Sequence, residues 1–328
     1  MKAIATIPAI AVTLAATLAL TPAAAQEVRY PTRTVTLVAP AAAGGGSDTV
    51  ARLLARELAQ ELGGTFVVEN RPGAGSITGV DYVSRQAPDG HTLVAASTTS
   101  HGIPSAMMRN LPYDPIKSFT PISLIEIHPA MMVINPKKIP NVKTIPDLVA
   151  FLKQNAGRTT YGTSGLATPQ NMYVRMFMMM TDTRLTMVPY NGSGPMVTDL
   201  IAGNIDMAIE TIQSVQPHVK AGTLMALGTT YADPFFLTPD VDPIAKLLPG
   251  YHAGSWIGIL GPAGIPDPIV RKLSAAFAKI VKKPEVDERL RGMGMLPVGS
   301  TPEEMGDLIK KELDTWAKVV EATGGCGC

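Results

Sequence analysis

A run of small residues between Pro40 and Asp48, with glycines at positions 44 to 46, carries the clearest chemical signal in this sequence. It follows a β-branched run at 34–38 and precedes an amphipathic helix. Residues without side chains leave backbone N–H groups accessible at a helix N-terminus, where the helix dipole is positive. Such a segment can hold an anion without a lysine or an arginine. A flexible strand-to-helix turn is the alternative interpretation.

Two later segments have the same character. Residues 162–168 are glycine, hydroxyl-bearing and small residues that follow a strand signal and lead into an apolar helix. Residues 188–195 form a third turn that enters another helix. Glycine and small hydroxyl residues ahead of a helix again suit an anion. The sequence therefore predicts more than one anion-compatible loop.

Motifs for catalysis and for metal binding are mostly missing. The glycines at 44–46 lack a P-loop lysine, residues 73–79 miss the dinucleotide fingerprint by one position, and no Gly-x-Ser-x-Gly elbow occurs. The five histidines have no metal-ligand spacing, and the methionines at 176–180 are typical of core filling. We expect no metal and no cofactor. Among the histidines only His101, in the polar segment after a strand end, is a candidate binding residue.

The elements that must position these loops alternate between strand and helix, which predicts an α/β fold with mostly parallel sheets. A helix is predicted over 49–62, with Ser47 or Asp48 as its cap and two glycines at its end. Thr301 and Glu304 predict a capping box for the last helix. Apolar strands at 130–134 and 256–260 are predicted to cross between two lobes.

The first 25 residues predict a secretory signal peptide. Lys2 precedes an apolar run to Leu20, and the small residues at 23–25 place the cleavage before Gln26. A membrane anchor is the alternative, because the apolar run approaches the length that spans a bilayer. We expect the mature chain to be exported.

Composition narrows the class of protein. A formal net charge of +1 and a charged fraction of 17% argue against nucleic acid and anionic membranes as partners, since both need concentrated basic charge. A mature chain of about 300 residues predicts two lobes rather than one simple core. Cys326 and Cys328 are too close for an unstrained disulfide and are predicted to play no part in the fold.

Several short segments occur in an order that is typical of one family. In chain order they are Tyr30-Pro31-Thr32-Arg33, the glycine segment ending at Asp48, residues 68–75, residues 88–93, residues 111–115, Val188-Pro189-Tyr190, Asp206-Met207 and residues 217–222. Together they cover nearly the whole mature chain. The sequence resembles the Bug/TctC family, the periplasmic solute-binding proteins of tripartite tricarboxylate transporters.

The resemblance implies a two-lobed periplasmic-binding-protein fold of the Venus-flytrap, type II-like form, with the ligand cleft between the lobes. Lobe 1 would comprise residues 26–128 and lobe 2 residues 129–253, and residues 254–328 would return and end in a helix packing mainly on lobe 1. The protein would be a periplasmic monomer without catalytic activity. It would deliver a small carboxylate to the membrane subunits of a transporter.

The resemblance also implies a set of site residues. In the family, the loops matching 41–48 and 163–168 grip a carboxylate through backbone groups, hydroxyl groups and ordered water, and the loop at 97–101 would line the cleft. The expected ligand-binding residues are Ala41, Ala43, Gly44, Gly45, Gly46, Ser47, Ser97, Thr98, His101, Thr163, Ser164, Ala167, Thr168, Tyr190 and Glu210.

Other polar residues near these loops receive different interpretations. Glu210 could meet an ammonium or hydroxyl group of the ligand; a strand-end residue in a surface salt bridge is the alternative. Asn70 and Arg71 are expected to brace the first loop. Asp48 is expected to cap the helix, because a carboxylate aimed at an anion would repel it.

The sequence departs from the family pattern within the site. Ala41 replaces a bulky aromatic residue and Ala43 a proline, and Gln170 lies in a segment where the family often has a histidine. A wider pocket, with His101 and Tyr190 as flat surfaces, would suit an aromatic carboxylate such as a terephthalate-like dicarboxylate. Two anion-binding loops would then each take one carboxylate.

Two other functions stay open. An exported α/β hydrolase could use Ser164 or Ser193 as its nucleophile, although no motif supplies the required base and acid. A carboxylate sensor would present its closed form to a receptor kinase. A di- or tricarboxylate, or an aromatic carboxylate, is the expected ligand class in the transport interpretation.

Overall fold

The computed structural model of the protein describes residues 29–324. The predicted signal peptide and the cysteines at 326 and 328 lie outside these residues. None of the helices within the described range combines the length and the hydrophobicity that a membrane-spanning segment needs.

Strands and helices alternate along the described chain, as predicted. The strands are β1 (Val35–Ala39), β2 (Phe66–Asn70), β3 (Thr92–Ser97), β4 (Phe119–His128), β5 (Ala130–Ile134), β6 (Thr160–Thr163), β7 (Thr186–Pro189), β8 (Met207–Thr211), β9 (Met225–Thr229), β10 (Ser255–Pro262) and β11 (Leu296–Pro297). The helices are α1 (Gly46–Leu62), α2 (Ile77–Ser84), α3 (Gly102–Met107), α4 (Ile145–Gln154), α5 (Pro169–Thr181), α6 (Ser193–Ala202), α7 (Ile212–Lys220), α8 (Asp267–Ile280), α9 (Pro284–Gly292) and α10 (Pro302–Ala322).

The strands form two mixed sheets, and each sheet with its helices makes one lobe. The first has the order β11-β4-β10-β3-β1-β2 and the second the order β7-β6-β8-β5-β9. The chain passes from one sheet to the other between His128 and Ala130, and it re-enters the first sheet at Ser255. The two crossing segments lie side by side, because His128 at the end of β4 pairs with Ser255 at the start of β10. The prediction of a two-lobed α/β fold is confirmed. The prediction of mostly parallel sheets is wrong, because β4, β5, β10 and β11 pair antiparallel where the chain passes between the lobes and returns.

Helices cover both faces of the parallel part of each sheet. Neighbouring strand residues point to opposite faces, and in β1 Leu37 packs with Leu54 of α1 while Val38 packs with Val80 of α2. The central strands are accordingly apolar on both sides. Helices α1 and α2 therefore lie on opposite faces of the first sheet.

The second sheet repeats this arrangement. Ile209 of β8 packs with Met172 of α5, and the adjacent Ala208 packs with Met196 of α6. In each sheet, two helices thus leave neighbouring parallel strands toward opposite faces. The chain moves outward from one strand and then returns past it, so the strand order reverses between β1 and β3 in one lobe and between β6 and β8 in the other. The crevice at such a reversal is where α/β proteins bind ligands.

Helix α10 contacts the cores of both lobes. Its capping box is confirmed, since Thr301 Oγ1 accepts the Glu304 N–H at 3.2 Å and the Glu304 carboxylate accepts the Thr301 N–H at 2.9 Å. Met305 packs in the cluster that contains Val38 of lobe 1, and Trp316 packs in the cluster of α5. The helix consequently ties the two lobes together.

Glu312 lies inside this contact. Its carboxyl group accepts a hydrogen bond from Trp316 Nε1 at 2.8 Å, and it borders a cavity of about 60 Å³ that Trp256 also lines. A methyl group added at Gly102 would stand 2.6 Å from the carboxyl oxygen, so the carboxyl lies directly against α3. Burial raises the pKa of Glu312 to about 7, against the opposing effect of the Trp316 hydrogen bond.

This raised pKa predicts a pH-dependent stability. Between the unfolded pKa of about 4.3 and the folded pKa of about 7, the folded state binds more protons, so the Glu312 contribution is complete below this range and is lost as the pH rises through it. Glu312→Gln should raise the free energy of unfolding at pH 8 and flatten its decline between pH 5 and pH 8, by about 1.4 kcal/mol for each unit of pKa difference.

Urea unfolding of both proteins at pH 5 and pH 8 measures this effect. Glu321→Gln, which neutralises an exposed carboxylate of the same helix, is the matched control and should leave the decline intact. A decline of equal size in the Glu312 variant and in the unaltered protein would contradict the prediction.

Candidate functional site

The loops singled out in the sequence follow the carboxyl ends of parallel strands. Residues 40–45 follow β1 and residues 98–101 follow β3 in lobe 1, and residues 164–168 follow β6 in lobe 2. Because the carboxyl ends of parallel strands lie at one edge of a sheet, each lobe brings its own loops together.

These two edges border the junction of the lobes. In lobe 1, Ser97 at the end of β3 pairs with Ile257, near the start of β10, where the chain has just returned from lobe 2. In lobe 2, Thr211 at the end of β8 pairs with Ala130, the first residue after the crossing. The two sets of loops therefore form the two walls of one interlobe site.

The glycine loop after β1 uses part of its own hydrogen-bonding capacity. The Gly45 N–H donates to the Ala42 carbonyl at 3.0 Å, and the Gly44 N–H donates to the Asp48 carboxylate at 2.8 Å. Gly44 has φ +83°, a left-handed conformation that favours glycine. These two N–H groups are therefore already used within the protein.

The start of α1 supplies the remaining donors. The helix begins at Gly46, three residues earlier than predicted, and its first intrahelical bond runs from the Thr49 N–H to the Gly45 carbonyl at 2.9 Å. Within the described residues, the N–H groups of Gly46 and Ser47 have no backbone or side-chain acceptor. They are the donors that an anion at this helix N-terminus would meet.

Asp48 is a clamp for the loop rather than a helix cap. Gly45 is the N-cap, and the buried Asp48 carboxylate accepts from Arg52 Nε at 3.1 Å and from Asn70 Nδ2 at 2.8 Å besides Gly44. Burial alone would raise the pKa of Asp48, but these hydrogen bonds and the Arg52 charge hold it below its ordinary value. The carboxylate is thus ionised, and its hydrogen bonds are made to the loop, α1 and β2.

Asn70 braces the loop, as predicted, whereas the Arg71 side chain contacts β2 and α2. Asn70 Nδ2 also donates to the Ala41 carbonyl at 3.1 Å, which ties the loop to the end of β2. The Arg71 guanidinium lies 3.5 Å above the Tyr82 ring and pairs with Glu69 at 2.7 Å. Ala41 is half-buried, whereas Ala43 and Gly44 are exposed at the tip of the loop.

The loop after β3 is more buried than expected. Thr98 is fully buried, and its hydroxyl oxygen accepts the Trp256 N–H at 3.3 Å. His101 is also fully buried, with ring centroids of Phe119 and Tyr113 at 4.9 and 5.8 Å, and burial lowers its pKa to about 3. The expectation that these two side chains line the cleft is wrong, because both belong to the core of lobe 1. Ser97 is half-buried at the strand end.

The loop after β6 turns two of its hydroxyl groups inward. Thr163 Oγ1 and Thr168 Oγ1 both donate to the Gly165 carbonyl, at 2.9 and 2.8 Å. Thr168 also caps α5, since its oxygen accepts the Asn171 N–H at 3.4 Å. Ser164 and Ala167 lie on the accessible side of the loop, and the Ser164 hydroxyl has no partner among the described residues.

Tyr190 and Glu210 lie beside this loop. The Tyr190 N–H donates to the Thr163 carbonyl at 2.8 Å, and the Tyr190 hydroxyl donates to Asp199 at 2.8 Å. Burial and this bond raise the pKa of Tyr190 to about 12. Glu210 is fully buried and accepts from the Ser193 hydroxyl at 2.9 Å, so its interpretation as a surface salt-bridge residue is wrong.

The wall of lobe 2 thus includes Ser193 and Gln170, which sequence reasoning did not select as ligand-binding residues. Both follow a strand end by a few positions and stand in the first turn of a helix, which is the signal that could have identified them. No histidine of the described residues hydrogen-bonds to Ser164 or Ser193. Residues 29–324 also contain no group of three or more acidic, histidine or cysteine side chains that could hold a metal ion.

Comparison with known proteins agrees with this geometry. The chain matches the family described as "Tripartite tricarboxylate transporter family receptor" over residues 50–325. A relative from Agrobacterium vitis, a UPF0065 protein in the TAR-I ttuE-ttuC' intergenic region, is 37% identical over 323 residues, which are 96% of this chain and 91% of that protein.

Two solved structures from Rhodopseudomonas palustris are similar over nearly their whole length. Rpa4515 with adipate is 32% identical with a TM-score of 0.73, and the match covers 90% of this chain and 99% of that chain. MatC (Rpa3494) with bound malate is 32% identical with a TM-score of 0.69, and the match covers 89% of this chain and 100% of that chain.

The clamp around Asp48 predicts how the loop would respond to the loss of Asn70. Asn70→Ala removes two hydrogen bonds, one to the Ala41 carbonyl and one to the buried Asp48 carboxylate, which keeps Gly44 and Arg52 as donors. The two lost bonds together cost about 1–3 kcal/mol. The free energy of unfolding should fall by this amount, and amide hydrogen exchange at 41–48 should accelerate. Asn204→Ala, which removes one exposed bond to Asp199, is the control. Unchanged exchange at 41–48 would contradict the clamp.

Proposed function

Because this chain belongs to the tripartite tricarboxylate transporter receptor family, we propose that it is an extracytoplasmic solute-binding protein. It captures one small carboxylate in the cleft between its lobes. The observation that carries the proposal is the start of α1, where the Gly46 and Ser47 N–H groups have no acceptor among the described residues while the Asp48 carboxylate is bound by Gly44, Arg52 and Asn70. These neutral donors and the helix dipole suit a carboxylate.

The second wall would hold the ligand with hydroxyl and backbone groups. Ser164 has the accessible hydroxyl of the loop after β6, and the start of α5 lies behind it. In this proposal the inward-turned Thr163 and Thr168 shape the loop rather than touch the ligand. Ala41, Ala43, Ser97 and Tyr190 would line the space between the walls.

The two similar proteins support a carboxylate ligand, since one was solved with adipate and the other with malate. The aromatic, terephthalate-like ligand loses one of its supports, because the buried His101 ring cannot stack on a ligand in this conformation. We therefore propose a small aliphatic carboxylate as the ligand class.

We further propose the remaining context of a transport receptor. Residues 26–128 and 129–253 would form the two lobes, and residues 254–328 would return to lobe 1 and end in α10. The protein would work in the periplasm as a monomer and deliver its ligand to the membrane subunits of a tripartite transporter. The hydrolase alternative has weaker support, because the Ser193 hydroxyl donates to a carboxylate instead of a histidine.

One ligand should bind per chain, without chemical change. Titration calorimetry with a panel of aliphatic carboxylates should give a stoichiometry of one and a dissociation constant in the micromolar range or below, about −8 kcal/mol. Bound ligand should also raise the melting temperature. Recovery of an altered molecule after long incubation with pure protein would overturn the binding function.

The anion grip predicts two effects of substitution. At Gly45 a Cβ atom would meet Ala41 Cβ and the Ala42 carbonyl at 3.1 Å each, so Gly45→Val must displace the loop and should abolish binding. Ser164→Ala should weaken binding by about 1 kcal/mol through the loss of one hydrogen bond.

Calorimetry on folded variants measures both effects. Gly292→Val, at a position in α9 with open space around it, controls for the added side chain, and Ser84→Ala controls for the lost hydroxyl. Unchanged affinity in a folded Gly45 variant would mean that the carboxylate binds elsewhere.

A further inference from the structure

Glu210 brings a buried carboxylate to the lobe 2 wall. Its side chain is fully buried at the end of β8. The carboxylate accepts hydrogen bonds from the Thr211 N–H at 2.7 Å, the Ser193 hydroxyl at 2.9 Å and, more weakly, Gln170 Nε2 at 3.4 Å. All three partners are uncharged donors, so they satisfy the carboxylate without neutralising it.

The surrounding helices favour this charge. Helices α5, α6 and α7 begin at Pro169, Ser193 and Ile212, and each of the three donors to Glu210 lies at or next to one of these helix starts. Helix N-termini stabilise a nearby negative charge. The helix N-termini of lobe 2 therefore have Glu210 as an internal carboxylate, whereas the Asp48 carboxylate at the start of α1 is bound by Arg52 as well as by Gly44 and Asn70.

This arrangement determines the polarity of the groups in front of Glu210. A serine hydroxyl has one hydrogen, and Ser193 donates it to Glu210, so its oxygen can only accept from a ligand. A second ligand carboxylate placed beside Ser193 would have no hydrogen to donate. It would also stand about 5 Å from the Glu210 carboxylate, the span of two hydrogen bonds in series, and the two charges would repel each other.

We propose that Glu210, acting through Ser193, is a specificity-determining residue that selects carboxylates whose far end is a hydrogen-bond donor over the matched dicarboxylates. The inference rests on the proposed function. It replaces the expectation of two equivalent carboxylate-binding loops with an asymmetric site. The α1 wall takes the carboxylate, and the Glu210 wall takes a hydroxyl or ammonium group.

Matched six-carbon acids test this inference by calorimetry. The unaltered protein should bind 6-hydroxyhexanoate or 6-aminohexanoate at least about tenfold more tightly than adipate. Glu210→Gln removes the charge but keeps an oxygen that can accept from Ser193, and it should reduce that ratio by about tenfold. Asp206→Asn, which neutralises a carboxylate at the opposite end of β8 bound to Thr160, should leave the ratio unchanged.

A second variant tests the same inference if the Glu210 variant fails to fold. Ser193→Ala should weaken binding of 6-hydroxyhexanoate and leave the affinity for adipate nearly unchanged, because it removes the acceptor and keeps the charge. A merely structural role of Glu210 would change all affinities together and preserve the ratio. Tighter binding of adipate by the unaltered protein, or an equal ratio in the folded Glu210 variant, would overturn the inference while the carboxylate-binding function stood. Failure of every acid, including adipate, malate and succinate, to bind would overturn both.

Discussion

The buried Asp48 carboxylate is the interaction on which the lobe 1 side of the site depends. Removing a charged group from water is costly unless it is hydrogen-bonded, and here Gly44, Arg52 and Asn70 all donate to it. Those bonds determine the path of the glycine loop, because they hold both its tip and the neighbouring strand end. As a result the Asp48 charge is paired with Arg52, and the Gly46 and Ser47 N–H groups are left without an acceptor among the described residues.

The same physical rule gives the opposite outcome in lobe 2. Glu210 is also buried and hydrogen-bonded, but its donors are uncharged and lie at helix starts, whereas Asp48 is paired with Arg52. Similar elements in the two lobes, a strand end followed by a helix N-terminus, therefore offer different chemistry. Lobe 1 presents donors, and lobe 2 presents an acceptor backed by a charge. A pseudo-symmetric fold can thus give an asymmetric site through the placement of one carboxylate.

Much of this architecture could be predicted from the sequence. Local patterns identified the strand at 130–134 without error, the capping box at Thr301, the bracing role of Asn70 and the alternation of strands and helices. The glycine segment and the segment at 162–168 were recognised as strand-to-helix loops. These features depend on neighbours within a few residues, or on the order of motifs along the chain. They can therefore be predicted from the sequence alone.

The tertiary structure decided which polar groups face the junction. His101 and Thr98 occupy a polar segment after a strand, yet Trp256 and Phe119, far away in the chain, enclose them in a core. Asp48 looks like a cap in sequence, but its partner Asn70 lies 22 residues away and turns it inward. Ser193 and Glu210 meet because α6, which begins at Ser193, crosses β6 to connect β7 with β8. Sequence therefore determined the elements and their loops, while long-range packing, which periodicity does not encode, determined the direction of each side chain.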